Sequence, residues 1–283
     1  MCLIGLALEQ HPRFALVIAA NRDEFLQRPA EALDWWRAGP DAAPLLGGRD
    51  LHAGGTWMGL NGAGRVAMLT NVRDVQRQRS NAPSRGAIVP DWLAATADAP
   101  DFWRDIAGGG HNPFNLLAGD MSSGQWWWAD DRTGSPVPLG PGLYGLSNAA
   151  LDTPWPKVQR LKCAMATALA DASQTDALES ALFAALADAT QVPDAALPDT
   201  GIGLDRERWL APAFIRTPDA RYGTRCSTLL IAERDGEGLS ARVVERQFAV
   251  DGSRLSQRST RLRRWPHLRG DLPRVETERL SAG

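Results

Sequence analysis

Apolar and polar positions alternate along this chain in short runs rather than one sustained period. Residues 3–8 and 14–20 are apolar runs split by the polar connector Glu9-Gln10-His11-Pro12-Arg13, a pattern that predicts a β-hairpin. The second run ends in a burst of charge, Asn21-Arg22-Asp23-Glu24. Residues 25–50 show no clear period and carry Pro29, Pro40, Pro44 and Gly47-Gly48, so they read as irregular. The stretch GGTWMGLNGAGRVAMLTN then places two apolar runs around Asn61-Gly62, a hairpin cue because both residues tolerate positive φ.

A polar, Arg-rich loop over residues 73–86 precedes helix-like IVPDWLAATA and DFWRDIAG. A second strand group follows in PFNLLAGDMSSGQWWWADD and GLYGLSNA, joined by a Gly- and Pro-rich connector. The longest helical signal runs from about Trp155 to Ala172, with Pro154 and Pro156 at its start, where proline is tolerated. A second helix is predicted over 176–189, and late strands in TRCSTLLIAE and SARVVERQFAV. Strands and helices come in groups without βαβ alternation, which predicts an α+β protein with mainly antiparallel sheets and segregated helices.

Length and composition narrow the class. A chain of 283 residues with 44% hydrophobic and 23% charged residues can bury a sizeable core. A formal net charge of −2 gives no field for nucleic acid or an anionic membrane. The apolar start is too short for a signal peptide, and nothing approaches the roughly 20 apolar residues of a membrane span, so the reading is a cytoplasmic protein. Three scattered cysteines, Cys2, Cys163 and Cys226, fit a reducing compartment. Eleven tryptophans are the oddity, as core packing or as the wall of a pocket for a flat or greasy ligand. The domain is read as residues 2–250. The Arg-rich stretch 251–283 is read as an extension, a solvated tail with a ligand-contacting arm as the alternative.

Cys2 carries the candidate chemistry. A start methionine before a small residue is normally trimmed, which leaves a thiol and an α-amine on one residue. A hairpin turn centred between His11 and Pro12 pairs positions whose numbers sum to about 23, so Cys2 lies opposite Asn21 within a residue, beside Arg22, Asp23 and Glu24. An α-amine with pKa of about 7.7–8.0 can take the proton of a thiol with pKa of about 8.5. Arg22 offers charge for a thiolate or oxyanion, and Asp23 a hydrogen bond to amine or guanidinium. The four histidines are isolated and none has metal-like spacing, which argues against zinc; a Cys–His dyad is a weaker alternative. Asn71 and Asn148 each end a short strand after a hydroxyl residue, where an amide can donate to an oxyanion. Arg225 opens a late strand as a second cation.

The segments MC, AANRDEF, GGTWMGL, LTN, FNLLAGD, YGLSNAALDTPWPK and YGTRCSTLL, in this order from residue 2 to about 250, resemble the NRDE family, the group that contains transport and Golgi organization protein 2. That family is similar to N-terminal-nucleophile hydrolases, especially the choloylglycine hydrolase and penicillin V acylase branch. The resemblance implies a four-layer αββα sandwich and cleavage of non-peptide amide bonds. It places Cys2 as nucleophile, Arg22 and Asp23 beside it, Asn148 on the tetrahedral intermediate, Arg225 as a late active-site arginine and Asn71 as a further carry-over. The order differs, since the hydrolases place Arg before an Asn and then an Asp, whereas here Asn21 precedes Arg22. Asn21, Glu24, Trp57 and Tyr144 lie in these motifs as candidate substrate contacts. Maturation needs only removal of Met1.

Two functions from different classes follow. One is an amidohydrolase of N-acyl amides that requires no cofactor. The other is a binding or trafficking protein for haem, with Cys2 as a candidate axial ligand, or for an acyl lipid or acyl-CoA. A scaffold with Cys2 merely packed is a third reading, disfavoured by the charged residues at several predicted strand ends.

Overall fold

The computed structural model describes residues 2–236, 238–267 and 275–281. The opening runs form β1 (Cys2–Leu8) and β2 (Phe14–Phe25). The region read as irregular holds β3 (Ala30–Trp36) and β4 (Leu45–Asp50), followed by the hairpin β5 (Met58–Asn61) and β6 (Arg65–Asn71). Helices α1 (Ile88–Ala94) and α2 (Ala99–Ala107) precede β7 (Phe114–Asp120), β8 (Gln125–Asp130), β9 (Val137–Leu139) and β10 (Gly142–Leu146). Then come α3 (Pro156–Asp171), α4 (Thr175–Leu186) and the short α5 (Leu204–Leu210). The chain closes with β11 (Tyr222–Asp235), β12 (Gly238–Phe248), β13 (Arg254–Leu262) and β14 (Val275–Ser281).

All strand pairs are antiparallel, in two seven-stranded sheets. The first runs β10-β1-β2-β11-β12-β13-β14, the second β3 to β9 in chain order. Strand alternation sends one set of side chains between the sheets: Ile4, Leu6, Ile18, Leu46, Met68, Leu117, Trp126, Trp128 and Leu230 form the central core. The opposite face of the first sheet, with Leu3, Val17, Leu229 and Ile231, packs on α3 and α4. The outer face of the second, with Leu69, Leu116 and Trp127, packs on α1 and α2. The result is the four-layer αββα sandwich. The three consecutive tryptophans therefore divide, Trp126 and Trp128 inward and Trp127 toward the helices.

Three expectations change. First, the stretch 25–50 is two strands. β3 is an edge strand with a register shift between Glu31 and Asp34, so it buries little and shows no alternation. Gly47 sits where a Cβ would meet the Met58 carbonyl, so the glycines mark close strand approach. Second, Asn21 to Glu24 lie inside β2, which pairs with β1 as far as Arg22 and with β11 as far as Phe25. Third, the stretch read as a solvated tail adds β13 to the first sheet, where Leu262 and Trp265 join the central core. Trp265 Nε1 donates to the Asn61 carbonyl at 2.8 Å, so these residues close the core against the β5–β6 hairpin. The arginines masked this signal: β13 lies between β12 and β14, and Arg258, on the same face as Leu262, donates to the Leu33 carbonyl and to Asp34 of the facing sheet, both at 3.0 Å.

No helix among the described residues is long and apolar enough to cross a membrane.

Candidate active site

The site is set by strand register. β1 and β2 pair so that Leu8 faces Leu16 and Cys2 faces Arg22, one residue on from the expected Asn21. The connection is an odd-length loop centred on Pro12, closed by Glu9 N–H to Ala15 C=O at 3.0 Å. One residue of register exchanges the two faces of a strand, so it is Arg22 that shares a face with Cys2. Arg22 also faces Cys226 on β11, and Cys226 faces Gln247 on β12. Cys2, Arg22 and Cys226 thus form a row across three strands on the floor of a cavity of about 620 Å³. The two thiols flank Arg22 about 10 Å apart, too far for a disulfide.

Arg22 is buried. Its Nη2 donates to Asp50 at 3.1 Å and lies 3.7 Å from Glu24, while Nη1 has no hydrogen-bond partner among the described residues. Asp50 also receives Arg28 at 2.6 Å and the N–H groups of His52 and Ala53. Burial alone would raise its carboxyl, but these donors hold it below the ordinary range. Burial pushes the Cys2 thiol up to about 11, with the Asp23 carboxylate adding to the rise and Arg22 opposing it. At neutral pH this thiol keeps its proton unless a base removes it.

Asp23 is buried and accepts from Thr224 Oγ1 at 2.7 Å, and its main-chain carbonyl accepts from the Tyr222 hydroxyl. Burial raises its pKa, opposed chiefly by the buried Lys157. Glu24, Asn71 and Trp57 line the cavity. Asn148 is fully buried behind it: Nδ2 donates to the Asn71 carbonyl at 2.9 Å, and Oδ1 lies 3.1 Å from Ser147 Oγ. Ser147 Oγ in turn reaches the Cys2 carbonyl at 3.1 Å, just past Ile4↔Leu146, where the β1–β10 ladder ends. Ser147 and Asn148 thereby anchor the backbone at Cys2.

Two expected roles are corrected, and a third residue is found at the cavity with a structural contact of its own. Asn21 points to the helix layer, where its Nδ2 donates to the carbonyls of Leu186 and Ala213 and its Oδ1 accepts from Ser227, so it does not line the cavity. Tyr144 faces Leu6, four residues along β1 from Cys2, and its hydroxyl is spent on the Gly140 carbonyl. Arg225 lines the cavity but sits in a bulge, where Nη1 donates to the carbonyls of Phe25, Leu26 and Arg28 and shapes that turn. The expected trimming of Met1 concerns a residue outside the described ones.

Asp50, Arg28, Arg85, Cys226 and Glu245 also line the cavity and carried no local signal. Glu245 is buried, and its Oε1 accepts the Leu33 N–H from the facing sheet at 2.8 Å. Burial raises its carboxyl pKa. Among the described residues, no group of three or more His, Cys, Asp and Glu side chains is placed to hold a metal ion.

Comparison with known proteins places the chain. It is 36% identical over 251 residues to the Transport and Golgi organization protein 2 homolog of Bos taurus, covering 83% of this chain and 90% of that one. The Mus musculus homolog is 32% identical over 255 residues, with the same coverage. Among solved structures, the Caenorhabditis elegans N-acylethanolamine-hydrolyzing acid amidase ortholog is similar at 13% identity and TM-score 0.43, covering 81% of this chain and 92% of that one. A C2A mutant of the conjugated bile acid hydrolase from Clostridium perfringens is similar at 8% identity and TM-score 0.41, covering 84% and 91%. The model of the family Transport and Golgi organisation 2 matches residues 1–249, and the chain belongs to that family.

Proposed function

We propose that this protein is an N-terminal-cysteine amidohydrolase acting on non-peptide N-acyl amides. The observation that carries the reading is the direct pairing of Cys2 with Arg22 on a cavity floor, with one guanidinium nitrogen left without a partner among the described residues. Once Met1 is removed, the Cys2 α-amine takes the thiol proton, and the sulfur attacks the amide carbonyl carbon. The carbonyl oxygen becomes an oxyanion, which Arg22 Nη1 is free to stabilise. The ammonium then protonates the amide nitrogen, the C–N bond breaks and the amine leaves. Water, deprotonated by the same α-amine, cleaves the thioester and restores the thiol. Asp23, buried beside this pair, holds the ammonium. Burial raises the thiol, so the scheme depends on the α-amine that removal of Met1 frees to take its proton.

Intact-mass analysis with limiting iodoacetamide is the first test: loss of Met1, and labelling of Cys2 ahead of the exposed Cys163 and buried Cys226, are expected. Cys2→Ala should lower turnover of an N-acyl amide by at least about 10³-fold, while the protein remains folded. A Cys2→Ala enzyme with native turnover would remove the proposal.

A binding protein for haem or an acyl-bearing ligand is the second reading, favoured by a cavity volume within the range of small-molecule sites and by Trp57 in its wall. The ionic lining weighs toward the hydrolase. A Soret shift on haem titration that disappears in Cys2→Ala would reverse that order.

A further inference from the structure

The cavity holds more positive charge than its own carboxylates engage. Asp50 and Glu24 are taken up by Arg22 and Arg28. Among the described residues, no carboxylate lies within ion-pair distance of either Arg85 or Arg225, although both line the same cavity. Arg225 spends Nη1 on three main-chain carbonyls of one turn, whereas Arg85 has one short bond and one long one. Its Nη1 donates to the Pro113 carbonyl at 3.0 Å and reaches that of Asn112 at 3.5 Å. No other hydrogen bond of its fork occurs among the described residues.

Arg85 is also firmly placed. It lies in the loop before α1, and that loop locks onto the β4–β5 connection through Thr56 N–H to the Gly86 carbonyl at 3.0 Å. The two backbones touch at Gly55, where any Cβ would overlap Gly86. Arg85 lines the same cavity as Cys2, Glu24 and Arg28. Of the other acids there, Glu245 and Asp23 are buried and engaged by Leu33 and Thr224, and Glu31 is exposed to solvent.

We propose that Arg85 is an anion-recognition residue, and that the ligand of this cavity carries a carboxylate or phosphate bound by Arg85 beside the group presented to Cys2. A planar fork with open N–H groups matches either anion, and a cation without a protein counter-charge recovers in the complex what partial burial costs it. The location beside Cys2 rests on the hydrolase reading, whereas the anion preference stands apart from it.

The test uses Cys2→Ala protein and three probes followed by calorimetry: N-hexanoylglycine, N-hexanoyl-phosphoethanolamine and the neutral N-hexanoylglycinamide. At least one anion is expected to bind about tenfold tighter than the neutral amide, less so at high salt. Whichever anion binds tighter identifies the group. Adding Arg85→Gln should erase the preference, and Arg85→Lys should reduce it at least about threefold by removing the fork. Equal affinity for neutral and anionic probes would overturn the proposal, as would a preference unchanged by either substitution. If Arg85→Gln does not fold, the Arg85→Lys comparison decides. Anion-selective binding to a wild-type protein that hydrolyses none of the probes would sink the hydrolase reading and leave this one standing.

Discussion

Lys157 opens α3 with almost no exposed surface, and its ammonium donates to the Leu210 carbonyl at 3.0 Å. Burial, with the nearby charge of Arg73 adding to it, lowers its pKa from 10.5 to about 8; Asp23 opposes the shift. The sign of the linkage follows. Between pH 8 and 10.5 the unfolded chain binds more protons here than the folded one, so this group's destabilisation is full below pH 8 and fades as pH rises. Cys2 acts in the opposite sense from about pH 9 upward, because its thiol is raised. Lys157→Met should therefore flatten the rise of urea-unfolding free energy between pH 8 and 9, by up to about 1 kcal/mol. A slope equal to that of the native protein would show that Lys157 titrates normally.

At the scale of elements, β2 does two jobs on two faces. Arg22 faces the cavity, while Asn21 stitches the strand to the end of α4, to Ala213 and to Ser227 on β11 with three buried hydrogen bonds. Asn21→Ala leaves two carbonyls and a hydroxyl without their partner, a loss of about 2–4 kcal/mol in denaturant titration. Turnover per folded molecule should stay within about twofold of native, since the Arg22 row is untouched. A stable Asn21→Ala protein with lost turnover would restore Asn21 to the substrate site.

At the scale of the molecule, the two sheets are held together by a core that residues beyond 250 help to close. Trp265 is among the largest fully buried side chains and is tied to Asn61 and to the Leu239 carbonyl. Trp265→Ala should cost about 3–5 kcal/mol in equilibrium unfolding. A chain ending at residue 250 should be less stable still, because it also loses β13 and Leu262. Equal stability of that shortened chain would return residues 251–283 to the status of a tail.

What the sequence by itself determined is what depends on near neighbours. Two-residue alternation, Asn61-Gly62 and the prolines around Trp155 act over a few residues, so strand pairs, the two long helices and the α+β class were legible. So was the meeting of Cys2 with the charged end of β2, because a hairpin is local. Only the tertiary structure decided the parity of that hairpin, and with it the exchange of Asn21 for Arg22 beside the thiol, since loop closure sets register one residue at a time. The same holds for Asp50 against Arg22, Cys226 in the floor, Arg85 over the cavity and Trp265 in the core. Each joins segments far apart in sequence or crosses between elements. No local pattern encodes such contacts: they exist only once the two sheets are stacked and water is excluded between them.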